Sequence, residues 1–175
     1  AHRGASFDAP ENTLASGKLA FAQNADALET DIWLTKDGQI IVSHDLNTKR
    51  TTGRDAKLID LTFAEARQLD AGTWKDPKFA GEKLPTLEEQ LALIPAGKRI
   101  FIELKAGPEI VPALKATLAK THLKRSQLVL ITFKLPAAKA AKEAMPDLPV
   151  QWLLSAPSKD PKKPSPDLDE AIAQA

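Results

Sequence analysis

Three features of the chain predict an α/β fold built on a largely parallel sheet. Strand-like and helix-like runs alternate along it, helix-start patterns of the form Thr-x-x-Glu fall between strand candidates, and ionic residues gather where apolar runs stop.

The first helix is expected over residues 14–23. Pro10 and Thr13 open it, and Leu14, Leu19, Phe21 and Ala22 are expected on its buried face. Runs rich in Ile, Leu, Val or aromatic residues predict strands over 26–33, 39–44, 99–104, 127–132 and 150–154. Between the first two, Asp37-Gly38 predicts a two-residue hairpin turn, and counting outward pairs Lys36 with Gln39, Ile32 with Ser43 and Asp31 with His44. Thr62-x-x-Glu65 and Thr86-x-x-Glu89 read as capping boxes of short helices. Pro108 begins another helix, with Ile110, Val111, Leu114 and Leu118 facing inward. A stretch rich in proline and lysine over 155–166 is expected to be an exposed loop before a final helix near 168–175.

With 175 residues, 43% of them apolar and 27% charged, the chain has material for one domain with a real core and too little for two. Lys plus Arg (24) nearly balance Asp plus Glu (23), so no broad basic field calls for nucleic acid as a partner, and anion binding must be local. The absence of cysteine removes disulfides, thiolate metal sites and a cysteine nucleophile together. No apolar run reaches the roughly 20 residues of a membrane span. The chain opens at Ala1 with His2 next to it, which suggests that preceding residues were cropped or processed away. Compartment stays open between cytoplasm and an extracytoplasmic space, the latter preferred; oligomeric state is not readable.

The chemistry is carried by a few residues. Strand alternation puts Glu29 and Asp31 on one face, and the expected hairpin register adds His44 to it; Glu103 and Lys105 share a face at the end of a later strand. Three carboxylates brought together repel one another unless a cation compensates them, and an all-oxygen set favours Ca²⁺ or Mg²⁺ over zinc. Arg3 and Lys105 suit phosphate oxygens, while His2 and His44 can serve as an acid and base pair. The combination points to metal-assisted cleavage of a phosphate ester. Taken singly, each residue has a plainer use: edge-strand charge for the acids, a structural hydrogen bond for a histidine such as His122, helix initiation for Pro10-Glu11-Asn12-Thr13, and packing for Trp33, Trp74 and Trp152. Asp45 has two uses of equal standing, orienting His44 or capping a turn.

His2-Arg3-Gly4-Ala5, Ala9-Pro10-Glu11-Asn12-Thr13, Glu29-Thr30-Asp31, Thr35-Lys36-Asp37-Gly38, His44-Asp45, Arg50-Thr51-Thr52-Gly53, Leu84-Pro85-Thr86-Leu87-Glu88 and Glu103-Leu104-Lys105 occur in this order over roughly residues 1–155. Together they resemble the glycerophosphodiester phosphodiesterase family. The resemblance implies a TIM-type (β/α)8 barrel carrying a small insertion, here expected within 46–85, with residues 1–175 forming a single domain. A complete barrel runs to about 250 residues, so the chain is expected to be a barrel truncated at both ends. It further implies His2 and His44 as the catalytic acid/base pair, and Glu29, Asp31 and Glu103 as ligands of one divalent cation. Arg3 and Lys105 would be phosphate contacts. The implied products of a small glycerophosphodiester are sn-glycerol 3-phosphate and an alcohol. Where that family often carries Ser-Phe-Asp, this chain has Thr132-Phe133-Lys134. The rival readings are a toxin-type phospholipase D acting on lysophospholipid or sphingomyelin, and a non-catalytic phosphate-binding module.

Overall fold

The structure is a computed structural model that describes residues 1–155; the expected loop over 155–166 and helix near 168–175 fall almost wholly outside them. Helix α1 (Leu14–Ala22) leads into strand β1 (Ala27–Leu34) and strand β2 (Ile40–Val42). Helices α2 (Lys49–Thr52), α3 (Phe63–Ala66) and α4 (Leu87–Leu91) precede strand β3 (Arg99–Leu104). Helix α5 (Val111–Leu118), strand β4 (Leu128–Thr132), helix α6 (Leu135–Ala144) and strand β5 (Val150–Trp152) complete the order. The sheet runs β2-β1-β3-β4-β5 and is parallel except for β2, which pairs antiparallel with β1.

Helical connections between parallel strands place helices against the sheet, and the strand sequences are patterned for it. Leu28, Ile32, Ile100, Ile102, Leu104, Leu128 and Leu130 point to one side and form the main core with Leu87 and Leu91 of α4, Leu114 and Leu118 of α5, and Ala137 and Ala141 of α6. Period-2 alternation therefore sends the odd-numbered residues of these strands to the other face, where Glu29, Asp31, Phe101, Glu103, Val129 and Ile131 lie. Parallel pairing brings Asp31 level with Glu103, so two acids meet side by side.

Both Thr-x-x-Glu boxes form as expected: the Thr62 and Thr86 side chains accept from the Glu65 and Glu89 backbone N–H groups, which start α3 and α4. Residues 108–110 make a 3₁₀ turn into α5, and Ile110, Val111, Leu114 and Leu118 are buried as the sequence predicts. The expectation for α1 needs correction. Its buried residues are Ser16, Gly17 and Ala20 rather than the larger apolar ones. Small side chains let its backbone approach closely: a Cβ on Gly17 would stand 2.8 Å from Leu93 Cδ1.

The hairpin also differs from expectation. Thr35 N donates to Gln39 O at 2.9 Å and Gly38 N to Thr35 O at 2.9 Å, so the loop holds three residues, Lys36, Asp37 and Gly38. Gly38 takes the left-handed conformation (φ 74°) that such a loop requires, and the pairing becomes Ile32 with Val42 and Leu34 with Ile40. Asp31 thus faces Ser43, whose N–H it accepts at 3.0 Å, and not His44.

Residues between β2 and α4 contribute no strand to the sheet and gather a smaller apolar cluster of Leu58, Leu61, Ala66, Leu69, Ala71 and Leu84 around Ile41. No helix of the described residues is long and apolar enough to cross a membrane.

Candidate active site

The site forms where the face of the sheet that bears the acids meets the N-terminal loop. Ala1 runs beside β1, its N-terminus donating to Ala27 O at 2.7 Å and its carbonyl accepting from Glu29 N at 2.9 Å, which sets His2 and Arg3 above the strand. The chain then turns through Arg3 (φ 57°) and Gly4 (φ 81°), and Ser16 of α1 closes the turn by donating from Oγ to Arg3 O at 3.2 Å. Gly4 is required there, since a Cβ would fall 2.4 Å from Ser16 Oγ.

Glu29, Asp31 and Glu103 each present a carboxylate oxygen within 4.8 Å of the others. Asp31 is fully buried and Glu103 nearly so. Burial, the Asp31 charge and, more weakly, Glu103 push the Glu29 carboxyl up to about 7, against a hydrogen bond from Arg3 N at 2.8 Å. Burial likewise raises Glu103, opposed by Lys105, whose Nζ donates to Glu103 Oε1 at 3.0 Å and stands 3.6 Å from Asp31 Oδ1.

His2 remains largely open to solvent, with Nε2 3.9 Å from Glu29 Oε2. Partial burial first and the Arg3 charge second hold its imidazole below the ordinary value. His44 reaches the site despite the shifted register because β2 ends at Val42 and the chain bends beyond it. Its carbonyl accepts from Trp33 Nε1 at 3.1 Å, and its Nδ1 lies 2.7 Å from Asp45 Oδ1. Of the two uses the sequence left open for Asp45, orienting the histidine is the one the geometry supports.

Arg3 carries its guanidinium inward, Nη1 donating to Glu11 Oε1 at 3.1 Å and Nε standing 3.7 Å from Asp31 Oδ2. Glu29, Asp31, Glu103, Arg3, Lys105 and His2 therefore belong to one neighbourhood, and His44 stands near enough to His2 for their charges to interact. Beside it opens a cavity of about 260 Å³ lined by Trp33, Glu103, Leu104, Lys105, Phe133 and Lys134, with Lys134 Nζ 5.6 Å from the Trp33 ring centre.

Two contributors escaped the sequence reading. Asn12, buried and left-handed (φ 57°), donates from Nδ2 to Asp31 Oδ2 at 2.8 Å and accepts at Oδ1 from Asp31 N and Thr30 Oγ1. Helix initiation falls to Thr13 alone, so Asn12 is free to brace the acid. Glu11 bridges Arg3 and Arg50, its carboxyl raised by burial but held below the usual range by the two guanidiniums together. Asparagine tolerates a left-handed backbone, and that was the available signal for Asn12.

The donor set fits a hard divalent cation. Glu29 Oε1 and Asp31 Oδ1 are buried and accept no hydrogen bond, a costly condition for carboxylate oxygens unless they face positive charge.

The sequence profile of the glycerophosphoryl diester phosphodiesterase family matches residues 2–175. The chain is 37% identical over 159 residues to a glycerophosphodiester phosphodiesterase of Caldanaerobacter subterraneus, covering 87% of this chain and 65% of that protein. It is 34% identical over 173 residues to the Bacillus subtilis enzyme of the same name, covering 89% of this chain and 59% of the relative. The chain thus spans about two thirds or less of these relatives' length. A phosphodiesterase of Oleispira antarctica, solved in complex with the product sn-glycerol-3-phosphate, superposes with a TM-score of 0.88 at 33% identity, covering 99% of this chain and 70% of that one. The parallel sheet with its helices is accordingly the matching part of a TIM-type (β/α)8 barrel, and the chain belongs to the glycerophosphoryl diester phosphodiesterase family.

Proposed function

We propose that the protein hydrolyses glycerophosphodiesters to sn-glycerol 3-phosphate and an alcohol, with His2 and His44 exchanging the protons. The observation that supports this most strongly is the convergence of Glu29, Asp31 and Glu103 on one point, with the His2 imidazole 3.9 Å from Glu29. The three acids would hold one divalent cation, Ca²⁺ or Mg²⁺; when bound it would offset the negative charge of the phosphodiester.

The remaining steps fall to the chain's own groups. Arg3, through its guanidinium fork, and Lys105, as a point charge, draw the phosphodiester to the site and stabilise charge that grows on its oxygens. One imidazole takes a proton from the attacking oxygen, and the other delivers one to the departing alkoxide. Asp45 fixes the orientation of His44, and Asn12 fixes that of Asp31. Residues 46–85 are best read as the family's small insertion. The product complex of the Oleispira antarctica relative supports glycerol 3-phosphate as the phosphorylated product here, with the alcohol as the leaving group.

The test is incubation of the protein with glycerophosphocholine, with Mg²⁺ or Ca²⁺ and again with chelator, following release of glycerol 3-phosphate. Release that depends on the ion and is lost in H2A or H44A is expected. Release of choline phosphate, or no turnover with any ion, would overturn the proposal.

A further inference from the structure

His44 stands on a bend beyond the last rung of β2, so the sheet itself does not orient its ring. Asp45 does, with Oδ1 2.7 Å from Nδ1, but Asp45 is half-exposed and adjacent in sequence, on the same bend. A carboxylate on a loop holds a partner in place only as well as it is itself held. Its other oxygen, Oδ2, accepts from Arg50 Nε at 2.6 Å. The same guanidinium donates from Nη1 and Nη2 to both oxygens of Glu11, each at 2.8 Å. Glu11 Oε1 also accepts from Arg3 Nη1. An unbroken chain of ionic hydrogen bonds thus joins His44 to Arg3 through Asp45, Arg50 and Glu11.

From this geometry we infer that Arg50 is a positioning residue. It locks the His44 ring, with Nδ1–H toward Asp45 and Nε2 toward the substrate, and through Glu11 it sets the angle of the Arg3 guanidinium. The inference rests on the proposed phosphodiesterase reading and extends it to a residue outside the acids, imidazoles and phosphate contacts. Isolated surface ion pairs contribute little. Arg50 differs because three of its nitrogens are engaged by two separate carboxylates, a fork–fork arrangement that fixes orientation as well as position. Lysine offers one ammonium and cannot span both. The local fold presents the side chain: Arg50 sits in the single turn of α2, which Gly53 closes in a left-handed conformation (φ 75°). The Arg50 guanidinium also lies 6.0 Å from the Trp74 ring centre, which backs it from the same segment.

The experiment compares wild type, R50Q, R50K and E11Q in two measurements. Steady-state kinetics on glycerophosphocholine should show kcat falling about 10- to 100-fold in R50Q, as for other residues that orient a reacting group, with KM within about threefold. R50K should recover only part of the loss, and E11Q should fall between wild type and R50Q. Imidazole ¹⁵N NMR of the same proteins without substrate should show His44 held with its proton on Nδ1 in wild type, and a mixture of tautomers in R50Q. The spectra read the ring whether or not turnover is seen. Absence of turnover in wild type would defeat the phosphodiesterase reading, while an unchanged His44 spectrum in R50Q would defeat the inference about Arg50. R50Q with kcat within twofold of wild type would also overturn it, as would a loss of kcat without any change at His44. If R50Q does not fold, E11Q with an unaltered His44 spectrum and unaltered kcat gives the same refutation.

Discussion

Replacing Glu29 by Gln should make the cation-free protein more stable above neutral pH and should remove the stabilisation that the cation gives to wild type. Glu29 is held in a buried site beside Asp31 and Glu103, and its carboxyl is pushed from an ordinary 4.5 to about 7. Because the folded state holds this proton more tightly than the unfolded chain does, the group's contribution is full below about pH 4.5. It is lost as pH rises through about 7. Above that, keeping the carboxylate ionised costs at most about 3 kcal/mol, the free energy of the interval between the two values. Gln removes the charge while its carbonyl can still accept from Arg3 N, the bond that Glu29 Oε2 makes at 2.8 Å. E29Q should therefore gain up to about 3 kcal/mol over wild type in chelator at pH 8, and the gain should shrink towards zero near pH 4.5. With ion at a hundredfold its Kd, wild type should gain about 2.7 kcal/mol and E29Q none, because one of the three oxygen donors is gone. Urea unfolding at pH 5 and pH 8, with and without Mg²⁺ or Ca²⁺, measures all four quantities. E29Q no more stable than wild type at pH 8 in chelator would refute the electrostatic argument. Equal stabilisation of both proteins by ion would refute the assignment of Glu29 as a ligand.

Two further substitutions probe how the site is held. N12A deletes a hydrogen bond to a buried carboxylate and two that the side-chain oxygen accepts, and leaves alanine at a left-handed φ of 57°. Unfolding should show a loss of about 3 kcal/mol, and a loss under about 1 kcal/mol would mean that Asp31 is braced by something else. G4A must place a Cβ 2.4 Å from Ser16 Oγ at a φ of +81°. It should lose about 2 to 4 kcal/mol and also lower turnover, since His2 and Arg3 ride on that turn; normal unfolding and normal turnover would show that the turn relaxes freely.

The strand faces were legible because their signal is a repeat of two. Once 27–34 and 99–104 are strands, alternation commits Glu29 and Asp31 to one side, and Glu103 to one face of its own strand, whatever the rest of the chain does. Parallel pairing then sets Asp31 beside Glu103, a relation between residues 72 positions apart that no local pattern contains. The hairpin register was misjudged for a related reason. Asp37-Gly38 marks a turn, but the same pair serves a two-residue loop and a three-residue loop whose last residue is left-handed, and the choice shifts every partner by one. Thr35 decides it here, its Oγ1 bonded to Asp37 Oδ1 at 2.6 Å and accepting from Gln39 N at 3.1 Å.

That shift explains why the site depends on more than strands. In the two-residue register His44 would have been placed by the ladder opposite Asp31, and no further support would have been needed. In the observed register the ladder ends at Val42. The imidazole must then be aimed by side chains drawn from elsewhere: Asp45 from the bend, Arg50 from the helix after it and Glu11 from the loop before α1. Asn12 stands in the same relation to Asp31. Periodicity finds groups that the sheet itself orients. Groups oriented by loops are found only when their partners are known: Asp45, next to His44 in the chain, could be named as a candidate partner of that imidazole, whereas the support that Arg50 and Glu11 give to His44 and that Asn12 gives to Asp31 could not. A substitution at Arg50 or Asn12 should accordingly disturb the chemistry while leaving the strand pairing intact, a separation that amide exchange on β1 and β3 would register beside the loss of turnover.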